Sequence, residues 1–246
     1  MELKKIIDRG EALVMLGLDI NFTQLDLIKS YKKLVKEYQL KMEYNENNNI
    51  FSVVANDLYN CSIAYLTLRN EEMVHDNLET SQPLLIFTDA SVYHNFDYAA
   101  FAIVVENLSK NFSVPEEIIK KYNIIAEDSS SPDICILTGF IKNIDVNTAE
   151  IVGIIAAIEV FQFHAIETVQ KIILYTDSLS AKKVLTDDML PPDTEIYSEL
   201  RQRFKEILSN SDVELIVKKI QAHAGHLMNE IADTAAKNRC ALENNI

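Results

Sequence analysis

The chain has 246 residues and a formal charge of −14, from 23 bases and 37 acids. With 48% apolar residues and only five Gly and five Pro, it has material for a core, which excludes collagen-like, low-complexity and disordered classes. No apolar run reaches the ~20 residues that span a bilayer, so no membrane partner is expected.

Residues 1–73 read as helical. Leu13, Leu16 and Leu18 precede a helix start at Asn21, Phe22 and Thr23. Leu25, Ile28, Tyr31, Leu34 and Tyr38 then recur at three- and four-residue steps with lysines between them. After an Asn-rich loop at 43–49, Phe51, Val54, Leu58, Cys61, Ile63 and Leu66 mark another helix, which predicts an antiparallel helical hairpin. A polar stretch, 74–83, closes on Pro83 and reads as a linker. From 84 to 246 the texture changes. Strand-length apolar runs at 84–88, 99–105 and 135–141 are followed by a helix at 148–164 and a strand at 172–176. Helices at 178–185 and 195–208, a strand at 213–221 and a final helix at 229–242 complete the order. Three strands followed by alternating helices and strands predict an α/β fold, a mixed sheet with helices packed on it.

The N-terminus carries Lys4, Lys5, Asp8, Arg9 and Glu11, so no signal-peptide apolar region forms. Cys61, Cys135 and Cys240 are widely spaced with no CxxC, which predicts reduced thiols, no structural zinc and a cytoplasmic location. Residues 1–80 carry 9 bases and 13 acids, and residues 81–246 carry 14 bases and 24 acids. Neither part has the basic balance of a general nucleic-acid binder, so any such function must rest on local features.

The chemistry-bearing residues are acids at element ends. Asp89 and Asp177 each follow an apolar strand, in the similar strings Phe-Thr-Asp-Ala-Ser and Tyr-Thr-Asp-Ser. An acid at the tip of a buried strand is costly unless paired or bound to a cation. Glu150 follows Asn147, and if Asn147 caps the helix, Glu150 sits at a capping-box position in its first turn. Asp233 lies near the start of the last helix, ten residues after His223. Each alone has a plain structural explanation: a turn, a helix cap, or a first-turn acid favoured by the helix dipole. Together, crowded carboxylates would raise one another's pKa, and a hard divalent cation such as Mg²⁺ relieves that.

These strings resemble those of type 1 ribonucleases H. The matching residues are Phe87–Ser91, Thr148–Glu150, Tyr175–Ser178, and the run Gln-Ala-His-Ala-Gly-His-Leu-Met-Asn-Glu-Ile-Ala-Asp that ends at Asp233. The resemblance implies a five-stranded mixed sheet flanked by helices, with the first three strands antiparallel. It implies metal-dependent hydrolysis of the RNA strand of RNA–DNA hybrids by two Mg²⁺ ions, with Mn²⁺ able to substitute. Asp89 matches the acid that bridges the two metals, Glu150 and Asp177 the leaving-group side, and Asp233 the metal that activates water. His223 matches a histidine that assists the nucleophile or product release. Asn95 matches a phosphate contact, and Ser91 and Ser178 are further substrate-binding candidates.

The chain departs from that family in places that matter for specificity. Ala90, Leu179 and Val146 stand where the family has residues that approach RNA or read the minor groove, the features that separate RNA from DNA. The basic, Trp-containing protrusion of many members is replaced by the acidic stretch 186–195, and the chain has no Trp. Arg201, Arg203 and Lys205, with Lys182 and Lys183, are the remaining basic patch. The insertion 107–133 is longer than a hairpin needs and predicts a short helix at 114–122.

The N-terminal region is similar to a J-domain at Ala12–Leu18, Leu27–Leu34 and Tyr38, with 51–68 as its third helix. The chaperone-engaging His-Pro-Asp would fall at Gln39, Leu40 and Lys41 and is absent. The module is therefore expected to mediate docking to a protein partner or self-association. Two alternatives to hybrid hydrolysis stay open: a ribonuclease H-fold scaffold without activity, and a nuclease for another structured RNA.

Overall fold

The computed structural model describes residues 7–43, 48–70, 83–92, 98–106, 108, 112–127, 134–168, 171–186, 195–211, 213–221 and 226–243. Most of the expected linker, 74–83, and the acidic stretch from 187 to 194 therefore lie outside the described residues.

Three helices come first: α1 (Arg9–Leu16), α2 (Gln24–Glu43) and α3 (Asn48–Asn70). Their ends are written in local polar chemistry. Asp8 caps α1 by accepting the Glu11 N–H at 2.9 Å, and Gly17 ends it with φ of 61°, a conformation that glycine adopts without Cβ strain. Thr23 and Asp26 form a reciprocal box at the start of α2: the Asp26 N–H donates to Thr23 Oγ1 at 3.2 Å, and the Thr23 N–H to Asp26 Oδ2 at 3.0 Å. Helices α2 and α3 run antiparallel, Tyr31 stacking on Tyr65 and Met42 packing near Ala55. The buried line of α2 is Leu27, Tyr31 and Val35; Leu25, placed on the apolar stripe by its spacing, is 57% exposed. Gln39, Leu40 and Lys41, where the J-domain motif would fall, continue α2.

The rest forms a six-stranded sheet in the order β3-β4-β2-β1-β5-β6. Its strands are β1 (Leu84–Val92), β2 (Tyr98–Glu106), β3 (Ile125–Glu127), β4 (Ile134–Lys142), β5 (Lys171–Thr176) and β6 (Glu214–Lys219). β1, β2, β4 and β3 pair antiparallel in that succession, while β1, β5 and β6 pair parallel. The fold class is the expected one, with one strand more than five. The extra strand, β3, has three residues and lies at the edge beside β4; it comes from the insertion, which also holds α4 (Glu116–Tyr122). Helices α5 (Val146–Thr168), α6 (Leu179–Thr186), α7 (Glu195–Ser209) and α8 (Leu227–Glu243) complete the chain.

Strand alternation sorts side chains to two faces. Phe101, Ile103 and Val105 of β2 join α5 in one core. The intervening Ala102 and Val104 face the other way, into a core shared with α8 and with α1–α3. The N-terminal helices thus cover the second face of the sheet beside α8. A buried hydroxyl chain crosses that junction: the Tyr31 hydroxyl and Ser62 Oγ lie 2.8 Å apart, and Ser62 Oγ and Thr234 Oγ1 3.0 Å apart. The core between α8 and the sheet holds Ala232, Ala235 and Ala236 of α8 and Ala102 of the sheet among larger residues such as Ile231, Val104 and Ile136. Small side chains let a helix axis lie close to a sheet, and this one carries Asp233.

Candidate active site

Asp89 and Asp177 arise from one register. In the parallel β1–β5 pair Thr88 lies opposite Thr176, so the next residue on each strand, Asp89 and Asp177, emerges side by side at the carboxyl edge of the sheet. Glu150 reaches the same point from α5. Carboxylate oxygens of Asp89, Glu150 and Asp177 lie within 4.8 Å of one another.

The helix start that delivers Glu150 differs from the expected one. Asp145, not Asn147, precedes the first helical residue and caps α5, accepting the Thr148 N–H at 3.1 Å and the Thr148 hydroxyl at 2.8 Å. Glu150 is therefore past the cap and not engaged in it. Its Oε1 accepts the Ala90 N–H at 3.3 Å, and the same N–H lies 2.8 Å from Asp89 Oδ1. Glu150 Oε2 is buried with no hydrogen-bond partner among the described residues. A buried carboxylate oxygen facing two other acids without a donor is an energetic cost that a cation removes. The donor set fits a divalent metal: three hard oxygen ligands from three elements, one of them otherwise unsatisfied.

The electrostatics follow from crowding. Asp89 is 6% exposed and Glu150 7% exposed. Burial, then the charges of Asp233, Glu150 and Asp177, push the Asp89 carboxyl well above the usual range; Lys237 opposes this. Burial and Asp177 push Glu150 up to about 8, against the Ala90 N–H and Asp89, which pull it down. Both groups favour the protonated state until a cation arrives.

Asp233 is the fourth expected acid. It is buried in α8, and Lys237 one turn on donates to its Oδ2 at 2.7 Å. It is no solvated first-turn acid. Its charge acts on both Asp89 and Glu150, while the lysine balances it. Lys237 was not foreseen, although its i+4 spacing from Asp233 in a helix is a readable signal. Ser91 is half-buried on β1. Ser178 caps α6, its Oγ accepting the Ala181 N–H at 3.1 Å. His223 and Asn95 lie outside the described residues.

The basic patch expected on α7 is largely consumed. Arg201 is buried, and Arg203 donates through Nε at 2.6 Å to Glu159 of α5, with its Nη2 on the same oxygen. Lys121 and the Tyr122 hydroxyl of α4 bond the other oxygen of Glu159, each at 3.0 Å. These residues tie α4, α5 and α7 together.

The topology is that of an α/β domain, a mixed sheet with helices on both faces and three acids meeting at one sheet edge. The family model for RNase H matches residues 133–241, a segment that holds Glu150, Asp177, His223 and Asp233; Asp89 comes from outside it, through the β1–β5 pairing. The chain is similar to the solved RNase H1 of the halophilic archaeon Halobacterium salinarum, at 22% identity, 66% of this chain, 99% of that one and a TM-score of 0.44. It is similar also to the N-terminal RNase H domain of a Mycobacterium tuberculosis protein, at 14% identity, covering 66% and 99%, with a TM-score of 0.44. A third likeness is to LC11-RNase H1, solved in complex with an RNA/DNA hybrid, at 17% identity, covering 62% and 98%, with a TM-score of 0.41. No curated protein sequence matches the chain. Among the described residues no helix is long and apolar enough to cross a membrane.

Proposed function

We propose that this chain is a metal-dependent endonuclease that hydrolyses the RNA strand of RNA–DNA hybrids. The observation that carries the reading is the convergence of Asp89, Glu150 and Asp177 at the edge of β1 and β5, with Glu150 Oε2 unsatisfied. Its supports are the RNase H family match and the hybrid named for one of the solved relatives.

Asp89, Glu150 and Asp177 would hold the metal, with Asp233 supplying a ligand on the α8 side of the cluster. Two Mg²⁺ ions, or Mn²⁺, would supply charge stabilisation for the attacking and leaving oxygens of an in-line phosphoryl displacement. The chain's own part is to place the acids before substrate arrives. The Ala90 N–H orients the Asp89 and Glu150 carboxylates together, and the Ala-rich face of α8 brings Asp233 against the sheet. His223 is assigned the proton-handling or product-release role on the strength of its motif. Asn95, Ser91 and Ser178 are assigned to the substrate.

The test is cleavage of a labelled RNA–DNA hybrid beside RNA–RNA and DNA–DNA duplexes, with Mg²⁺ or Mn²⁺ at low salt and Asp89→Asn as control. Hybrid-selective cleavage lost in the variant supports the reading. Cleavage of RNA–RNA alone changes the substrate, and a folded protein that cuts no duplex makes the chain a scaffold.

A further inference from the structure

Several of the described basic side chains are spent inside the fold. Arg69 pairs with Glu106, Lys121 and Arg203 with Glu159, Lys237 with Asp233 and Arg239 with Glu243. One helix lines up four exposed bases. Lys29, Lys32, Lys33 and Lys36 of α2 are all exposed. Their i, i+3, i+4, i+7 spacing puts them within roughly 100° of arc, along about 10 Å of axis. The line lies opposite the buried face made by Leu27, Tyr31 and Val35. Among the described residues the only ion pair on it is Lys33 to Glu37, at 3.9 Å with both side chains largely exposed, a contact of small energetic weight.

Four aligned, exposed lysines, offset only by Glu37 beside Lys33 and Asp26 near Lys29, are conspicuous in a chain of −14. They repel one another, and the fold has no internal use for them. The stripe is not remote from the acids. Gln39, one turn beyond Lys36, donates from Nε2 to Glu230 Oε2 at 3.2 Å, and Glu230 lies one turn before Asp233 on α8.

We infer that the lysine stripe of α2 is a phosphate-binding surface for the backbone of the nucleic-acid duplex whose RNA strand is cut at the Asp89 site. The inference rests on the proposed function and extends it. A duplex presents about one negative charge per 1.7 Å of axis, so a 10 Å line of lysines matches a row of phosphates in sign and density. Such contacts position the duplex without reading sequence. The surface supplies the grip that the acidic 186–195 stretch and the committed Arg201 and Arg203 do not. Leu25 and Leu40, 57% and 42% exposed, lie on the same line. They make an anionic lipid surface the competing occupant in the test.

The test compares the full chain carrying Asp89→Asn with the same chain carrying also Lys29→Gln, Lys32→Gln, Lys33→Gln and Lys36→Gln. Circular dichroism verifies that each is folded, and the Asp89→Asn background keeps the probe intact. Binding of a fluorescent RNA–DNA hybrid is followed by anisotropy from low to moderate salt with Mg²⁺. The expected result is at least about a tenfold loss of affinity at low salt and a salt slope shallower by about 2 to 3. Unchanged affinity and slope overturn the inference, while hybrid cleavage by the unaltered chain leaves the proposed function standing. If the unaltered chain neither binds nor cleaves hybrid, both fall. Lysine-dependent binding to phosphatidylserine vesicles, with hybrid binding indifferent to the lysines, also overturns it.

Discussion

Lys237 Nζ lies 2.7 Å from Asp233 Oδ2, one helical turn away and beside the carboxylates of Asp89 and Glu230. Burial pulls the lysine toward its neutral form, but the acids outweigh it and its pKa is raised, so it stays an ammonium. The metal-free cluster thus already contains one cation. Replacing it with Lys237→Met has two expected outcomes. Without metal, the variant is less stable by about 3 kcal/mol, since a buried carboxylate loses its partner. With metal, its affinity for Mg²⁺ or Mn²⁺ rises at least about tenfold, because a unit charge a few ångströms away no longer opposes the ion. Calorimetric titration and thermal unfolding of the same preparation check both.

The raised carboxyls make stability depend on pH in a defined direction. Glu150 titrates at about 8 in the fold, against an ordinary value of 4.5. A raised carboxylate favours folding fully below the unfolded value and loses that contribution as pH climbs through the folded one. Metal-free protein should therefore lose on the order of a few kcal/mol between pH 4.5 and 8. Saturating Mg²⁺ should flatten the curve, and metal uptake at pH 7 should release protons, measurable in buffers of different ionisation heat. A metal-free curve that rises over that interval would contradict the cluster's electrostatics.

Much of the site could be read locally, and what could not has a common cause. Asp89 and Asp177 stand out only together, through the similar strings around them, since each string alone reads as a turn; β1 in fact runs past Asp89 to Val92, with Asp89 paired to Ala102. The helix cap was misplaced because Asp145 and Asn147 are both good caps; the Thr148 hydroxyl, bonded back to Asp145, decides between them. β3 was missed because three residues, with Ile125 43% exposed, make no periodic pattern. Arg203 looked like a surface base because its partner, Glu159, is 44 residues away. The N-terminal helices are legible one by one from their spacing. Their seat on the sheet is not, since it depends on Ser62 meeting Thr234 across 172 residues of chain.

Gly139 of β4 is set by packing, not by backbone freedom. It pairs with Phe101 across the sheet. A Cβ added there would stand 2.4 Å from the Phe101 ring and 2.7 Å from the Tyr122 carbonyl oxygen. Phe101 is fully buried, and a Cβ added at Gly153 of α5 would also crowd it, at 3.2 Å from Phe101 Cβ. Gly139→Ala is expected to cost about 1–3 kcal/mol in urea unfolding, by overpacking. Gly153→Ala should cost less. An equal or reversed order would mean that the strand, not the ring, sets the constraint.

The hydroxyl chain from Tyr31 through Ser62 to Thr234 tests whether the helical region and the sheet fold together. By sequence they divide at 74–83, yet α1–α3 share a buried core with α8 and the sheet. Ser62→Ala leaves the buried Tyr31 hydroxyl without that partner, while Thr234 keeps the Ile231 carbonyl as acceptor. The expected cost is about 1–3 kcal/mol. Tyr31→Phe in the same background should add little, because the two substitutions remove one interaction; the coupling should exceed about 0.5 kcal/mol. Urea unfolding followed by circular dichroism should show one transition, shifted as a whole by Ser62→Ala. Two transitions, with only the first moved, would mean that the helices are a separate unit resting on the sheet, and the acid cluster would then survive their melting.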